Sequence, residues 1–73
     1  MTATMNLIGI GRCAAKPAGE LEVGDVITWN YGYRYEVVRI APAGEQSVRI
    51  VERSLADGKE FTRVLRRNRL VVA

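Results

Sequence analysis

Hydrophobic and polar residues alternate with a period of two along most of the chain after residue 25. Val, Ile and Tyr are frequent in the alternating runs, and turn pairs such as Gly24-Asp25 and Asp57-Gly58 separate them. Alternation bounded by turn residues is typical of β-strands with one buried face. The pattern therefore predicts an all-β chain with five strands, at residues 26–29, 33–40, 47–55, 60–65 and 69–73.

The phase of the alternation changes within the second predicted strand. Tyr33, Tyr35 and Val37 share one face there, whereas Val38 and Ile40 belong to the other face. We therefore predict a β-bulge or a strong bend near Val37.

The third predicted strand has a clear inner and outer face. Val48 and Ile50 are predicted to point inward, and Arg49 and Arg53 outward. In several other strands the register decides which of two neighbours is buried. The predicted interior contains Val26, Tyr35 or Val37, Ile40, Val48, Ile50, Val64 or Leu65, and Leu70 or Val72.

Residues 57–67 also fit an amphipathic helix. Asp57 and Glu60 have the spacing of a capping box, and apolar residues fall on one helical face. Gly58 and the β-branched Thr62 disfavour a helix, and the run is short. The strand is therefore the preferred prediction.

Three small residues near the N-terminus have the spacing of a dinucleotide-binding turn. Gly9, Gly11 and Ala14 match G-x-G-x-x-A, which functions where a helix begins directly after the glycines. Pro17 interrupts the helix that would have to follow. We therefore predict that residues 1–19 form an extended arm or an additional strand.

The apolar part of this arm is a predicted contact between copies of the chain. Leu7, Ile8 and Ile10 have no strong turn signal to fold them back. An unpaired apolar strand is a template for pairing, either along a sheet edge or with another chain. A homo-oligomer is therefore one prediction.

Several short features of the second part of the chain recur together in one class of small β-barrel. They are Leu21, Gly24, Asp25 and Val26 in ELEVGDVI, the strand YEVVRI, Gly58, and the connector RRN before RLVVA. On these features residues 20–73 resemble the SH3-like small barrels, including their KOW and Tudor branches. The resemblance implies a single closed five-stranded barrel with a 3₁₀ turn before its last strand. The compact, arginine-rich style also resembles short accessory proteins of actinobacterial bacteriophages.

Positive charge is concentrated at the C-terminal end. The chain has 11 basic and 8 acidic residues, for a net charge of +3. Residues 1–60 contain 7 basic and 8 acidic side chains (net −1), and residues 61–73 contain 4 basic and none acidic (net +4). Arginine pairs its planar guanidinium with phosphates. The predicted phosphate contacts are Arg63, Arg66, Arg67 and Arg69.

The aromatic residues form a second cluster. Trp29, Tyr31 and Tyr33 alternate close to Arg34, and aromatic rings beside arginine can stack on unpaired bases. The same residue types also dominate protein interfaces or simply cover one end of a small core. The sequence thus predicts a nucleic-acid-binding module, with DNA or RNA as partner. A module that binds a host protein or itself is the alternative.

The sequence lacks the residues that several classes of protein function require. The chain has no His, only one Cys and no metal-ligand spacing, so it is predicted to be non-enzymatic, without cofactor or metal. Cys13 alone cannot form an internal disulfide, which favours a reducing, cytoplasmic location. No apolar run is long enough to span a bilayer, so no membrane association is predicted.

Overall fold

The computed structural model describes residues 3–73, which form an all-β fold. The predicted all-β class is confirmed, and no α-helix occurs in the described part of the chain. Two short 3₁₀ turns lie at Ala18–Glu20 and Asn30–Gly32. The strands are β1 (Ala3–Leu7), β2 (Gly11–Pro17), β3 (Val26–Thr28), β4 (Arg34–Pro42), β5 (Ser47–Ser54), β6 (Glu60–Arg66) and β7 (Leu70–Val71).

The seven strands form two antiparallel sheets rather than a closed five-stranded barrel. The first sheet has the order β1-β2-β7 and the second the order β3-β4-β5-β6. Within residues 3–73, one isolated β-bridge, between Thr28 and Val72, links the sheets, and Thr28 N–H donates to the Val72 carbonyl at 2.8 Å. The predicted closure is wrong because, among the described residues, β1 pairs only with β2 and β6 only with β5.

Residues 3–17 form a β-hairpin and not an extended arm. β1 pairs with β2 from Ala3 opposite Ala15 to Leu7 opposite Gly11. Gly9 takes a φ of 81°, which a glycine adopts without strain, and Ile10 N–H donates to the Leu7 carbonyl at 3.1 Å. Because strand β2 stands where a dinucleotide site needs a helix, the glycines serve the hairpin turn.

The predicted bulge in β4 is confirmed. The pairing of β4 with β5 shifts register between Val37 and Arg39. The extra residue brings Ile40 onto the same face as Tyr35 and Val37. All three side chains can therefore point toward the core.

The hydrophobic core lies against the inner face of the second sheet and gathers residues from most strands. Its buried members are Ala18, Leu21, Ile27, Val37, Val48, Ile50, Leu65 and Val71, with Trp29 and Ile40 packed against them. The predicted burial of Val48 and Ile50 is confirmed. At two of the positions where the sequence left alternatives, Val37 is buried in place of Tyr35 and Leu65 in place of Val64.

Two of the predicted core positions are wrong by one residue. Val26 is 39% exposed, whereas its neighbour Ile27 is fully buried. Near the C-terminus Val71 is buried, and Leu70 and Val72 are only half-buried. Both errors fall in strands of two or three residues, where too few positions alternate to determine the inward face.

The connector before β7 is an ordinary turn without a 3₁₀ element. Arg69 N–H donates to the Arg66 carbonyl at 3.0 Å, and Arg67 N–H donates to the Gln46 carbonyl at 2.8 Å. The Arg67 carbonyl in turn accepts from Gly19 N–H at 2.9 Å. The turn is therefore held by two other segments of the chain.

An ion pair joins the N-terminal hairpin to the start of β3. Lys16 Nζ donates to Asp25 Oδ2 at 2.7 Å, and Glu22 N–H donates to the same oxygen at 2.9 Å. The hydrogen bond from Lys16, followed by that from the Glu22 backbone, lowers the pKa of Asp25.

This ion pair predicts an acid-dependent term in stability. Because the pKa of Asp25 is lower in the folded state, its contribution is complete above the ordinary aspartate pKa of about 3.9 and is lost as the pH falls through the folded value. The partners are partly exposed, so we expect at most about 1 kcal/mol. Urea denaturation should show Asp25→Asn less stable than the parent at neutral pH, and the difference should be smaller in a second measurement below the folded pKa of Asp25. An equal difference at both pH values would contradict the assignment.

Candidate functional site

The four C-terminal arginines do not form one cluster. Arg63 and Arg69 approach the ring of Trp29, with guanidinium carbons 4.7 Å and 5.8 Å from its centroid. Arg66 ends β6 on the outer face of the second sheet, and Arg67 donates from Nε to the Glu45 carbonyl at 3.2 Å. A joint phosphate contact by all four would therefore require a partner that wraps around the chain.

Arg63 donates a hydrogen bond to the buried carboxylate of Glu52, which the sequence analysis did not identify. Glu52 is fully buried on the inner face of β5, in phase with Val48 and Ile50. Its carboxylate accepts hydrogen bonds from Arg63 Nε and, at 3.3 Å, from Trp29 Nε1. A buried charge requires such partners, so this network consumes part of the hydrogen-bonding capacity of Arg63.

The outer face of the second sheet carries a different set of basic residues. We call Arg39, Arg49 and Arg66, which lie on β4, β5 and β6, the arginine stripe. Val51 stands opposite Arg39 and Val64 opposite Arg49, so successive arginines are diagonal neighbours. Diagonal neighbours in an antiparallel sheet are about 7–8 Å apart.

The arginine stripe is exposed and has no acidic partner. All three side chains are exposed, and none forms an ion pair with any residue in the described range 3–73. Val51 and Val64 lie between the arginines, and Val64 is itself exposed. The stripe is thus a surface of uncompensated positive charge.

The opposite end of the same face is nearly neutral. Arg53 contacts Glu60 at 2.8 Å, and Glu36 stands opposite Arg53 on β4. The hydrogen bond and charge of Glu60 raise the pKa of Arg53. Arg34 is exposed at the start of β4, beyond this group of charges. The positive potential of the face is therefore concentrated at the end that carries the stripe.

A polar pocket adjoins the stripe. It has a volume of about 260 Å³ and lies between the β4–β5 turn and the connector before β7. Its lining combines hydrogen-bond donors with one carboxylate, which would weaken anion binding. The lining residues are Glu45, Gln46, Arg66, Arg67 and Asn68.

Tyr31 and Tyr33 lie on a second, apolar surface. We call Ile8, Ile10, Tyr31 and Tyr33 the hairpin–turn patch, because the turn at the tip of the β1–β2 hairpin packs against the 3₁₀ turn Asn30–Gly32. Tyr31 N–H donates to the Ile8 carbonyl at 2.6 Å, and Ile8 N–H donates to Asn30 Oδ1 at 2.9 Å. Residues predicted for base stacking and for self-contact thus share one surface.

Tyr31 holds a strained backbone conformation in this patch. Its φ of 66° is the only positive value at a described non-glycine residue. A Cβ on Gly9 would lie 3.3 Å from the Tyr31 ring, and one on Gly32 would lie 3.2 Å from Ile10 Cδ1. Such strain costs about 1–3 kcal/mol and clusters at functional sites. The two turns therefore fit closely, and a side chain at either glycine would require its neighbour to shift by a few tenths of an ångström.

The other predicted site residues are placed as follows. Leu7 is buried within the chain, so only Ile8 and Ile10 of the predicted self-contact offer side-chain surface. Trp29 is half-buried, with its indole N–H bonded to Glu52 and its ring near two guanidiniums. Base stacking on Trp29 would have to displace an arginine.

The described chain shows no other concentration of reactive groups. Within residues 3–73, no three His, Cys, Asp or Glu side chains converge as metal ligands, and no helix is long and apolar enough to cross a membrane. Cys13 is half-buried, and its Sγ lies 3.6 Å from the Gly11 carbonyl. The arginine stripe and the hairpin–turn patch are therefore the candidate sites.

Comparison with models of protein families, with curated proteins and with solved structures finds no match to this chain. The resemblance to SH3-like barrels and to phage accessory proteins stays a prediction. Function has to be inferred from the two surfaces themselves.

Proposed function

We propose that this chain binds nucleic acid through the arginine stripe. The observation that carries the proposal is the alignment of three exposed arginines, without acidic partners, across three neighbouring strands. Guanidinium groups bind phosphate oxygens in bidentate fashion, and the twisted sheet holds them at fixed spacing. The net charge of +3 favours the approach of a polyanion.

The stripe recognises the sugar–phosphate backbone and not the bases. The side chains between its arginines are Val51 and Val64, and none of the five aromatic residues belongs to the outward-facing positions of β4, β5 and β6. Without stacking or base-edge contacts, affinity depends on counterion release and varies little with sequence. Binding should therefore be strongly salt-dependent for both DNA and RNA.

The remaining predicted contacts have smaller roles in this proposal. Arg67 lies beside the stripe and can extend it, whereas Arg63 and Arg69 are directed to Trp29. Arg34 is separated from the stripe by the charges around Arg53. The proposal thus transfers the main phosphate contacts from the C-terminal segment to the face of the sheet.

Removing two arginines of the stripe should weaken binding and its salt dependence together. The variant Arg39→Gln/Arg49→Gln lowers the net charge from +3 to +1 without touching an ion pair. We expect affinity for a single-stranded or duplex oligonucleotide to fall at least about tenfold at low salt. The slope of log K against log[salt] should fall by about 1.4–1.8, at 0.7–0.9 per lost contact. Fluorescence anisotropy titrations at several salt concentrations measure both.

The matched control is Arg12→Gln/Lys59→Gln. It removes the same charge from two exposed residues outside the stripe, on β2 and in the β5–β6 turn. It should keep the parent's salt slope within about half a unit. Equal losses in the two double variants, or no binding by the parent at low salt, would overturn the proposal.

A further inference from the structure

The hairpin–turn patch exposes four large apolar side chains on and directly beside two packed turns. Ile8, Ile10, Tyr31 and Tyr33 are 58%, 50%, 67% and 62% exposed. From the area of such side chains, the patch offers on the order of 400 Å² of contact surface. Apolar surface of this size, beside a strained and closely fitted turn, is a candidate contact surface.

An open strand edge continues from this patch. The N–H and carbonyl of Ile8 point away from β2, because they bond to Asn30 and to Tyr31. Strand backbone groups alternate in direction, so those of Thr4 and Asn6 point to the same side. No strand in the described chain pairs with β1 on that side. The open edge and the patch form one continuous surface.

The absence of charged residues from this surface favours a second copy of the chain as its partner. A two-fold interface is built from the same surface on both partners, so any charged side chain in it must be paired or lose its hydration. Residues 3–10 and 30–33 carry no Asp, Glu, Lys or Arg, and Arg12 lies one strand further from the open edge. The free edge of β6 instead carries Glu60, Arg63 and Arg66. Self-pairing is therefore compatible with β1 and disfavoured at β6.

The required area also favours a combined surface. A stable interface buries about 800 Å² on each partner, roughly twice what the patch offers. Antiparallel pairing of β1 with β1 of a second copy adds the backbone and side chains of a whole strand to the contact. Patch and edge together offer more contact area than either provides alone.

We propose that two copies of this chain associate about a two-fold axis through the open edge of β1 and the hairpin–turn patch. The two first sheets become one continuous sheet of six strands across the axis. Thr4 of one copy pairs with Asn6 of the other, and each pair exchanges two backbone hydrogen bonds. Leu7 then lies opposite Ala3 of the other copy, so the patch of each copy contacts the start of β1 in the other. The interface is separate from the arginine stripe, so the proposal does not rest on nucleic-acid binding.

Two variants test the two halves of this interface. Asn6→Pro removes an outward N–H from β1, and proline is accepted on an edge strand whose N–H faces solvent. Ile10→Lys places a charge in the patch. Each should raise the dissociation constant of the dimer at least about tenfold, because a ladder bond is lost or a charge is buried unpaired.

Sedimentation equilibrium at micromolar to near-millimolar protein measures the association. The parent should approach twice the 8.1 kDa of one chain, and both variants should stay close to 8.1 kDa with unchanged far-UV circular dichroism. Leu55→Lys is the control, because it introduces the same charge at an exposed leucine in the β5–β6 turn and should dimerise like the parent.

Three results would overturn the proposal. They are a monomeric parent over the whole concentration range, dimerisation of Ile10→Lys equal to that of the parent, and loss of the dimer in Leu55→Lys. The Arg39→Gln/Arg49→Gln variant should dimerise normally, so failure of nucleic-acid binding and failure of self-association are distinguished.

Discussion

Replacing Glu52 with alanine should lower the free energy of unfolding by about 2–4 kcal/mol. The carboxylate is fully buried and accepts hydrogen bonds from Arg63 and Trp29. Its loss leaves the indole N–H without a partner and a cavity in the sheet face. A 73-residue chain has a total stability of about 4–11 kcal/mol, so this single change removes a large share.

Urea denaturation followed by Trp29 fluorescence measures the effect. Glu52→Gln is the matched variant, because it keeps the volume and one acceptor oxygen but removes the charge, and should cost less than alanine. In the double variant Glu52→Ala/Arg63→Ala the two losses should not add, with a coupling of about 0.5–3 kcal/mol. Additive losses, or an alanine variant within about 0.5 kcal/mol of the parent, would contradict the network.

The strands that sequence analysis placed well are the long ones. β4 and β5 are nine and eight residues long, so the bulge near Val37 and the inner face of β5 follow from local pattern alone. The strand predicted at residues 60–65 is confirmed as β6, because Gly58 and Thr62 disfavour the alternative helix.

The features that the sequence did not reveal depend on long-range contacts. Glu52 continues the phase of Val48 and Ile50, but glutamate is rarely buried, and only partners from two other segments make its burial tolerable. The hairpin turn Ile8-Gly9-Ile10 has no typical turn sequence and is held in part by Asn30 and Tyr31. These partners lie far away along the chain, so the residues next to Glu52 or next to the hairpin turn do not indicate them.

The candidate sites also depend on long-range contacts that the local sequence does not reveal. The sequence grouped four C-terminal arginines because they are close in the chain, but alternation along β6 and the turn after it direct them to different surfaces. The arginine stripe joins Arg39 and Arg49 to Arg66 through strand register. Register is set by the whole sheet, so charge clustering along the chain does not predict it.

A large packing loss is expected at Ile27, which sequence analysis left outside the core. Ile27 is fully buried and lies opposite Tyr35 on the inner face of the sheet, whereas Val26 is directed outward opposite Glu36. Ile27→Ala should therefore lower the free energy of unfolding by about 2–5 kcal/mol, through lost transfer energy and a residual cavity. In a domain of this size the melting temperature should fall by at least about 10 °C.

Val26→Ala is the matched control, because it truncates the neighbouring β-branched residue in the same short strand. Its cost should stay within about 0.5 kcal/mol, since a large part of the side chain is already in water. Parallel thermal and urea denaturation of both variants gives the comparison. A one-residue slip of β3 would exchange the two faces. A larger loss in Val26→Ala than in Ile27→Ala would therefore show that β3 has the opposite register, with Val26 in the core.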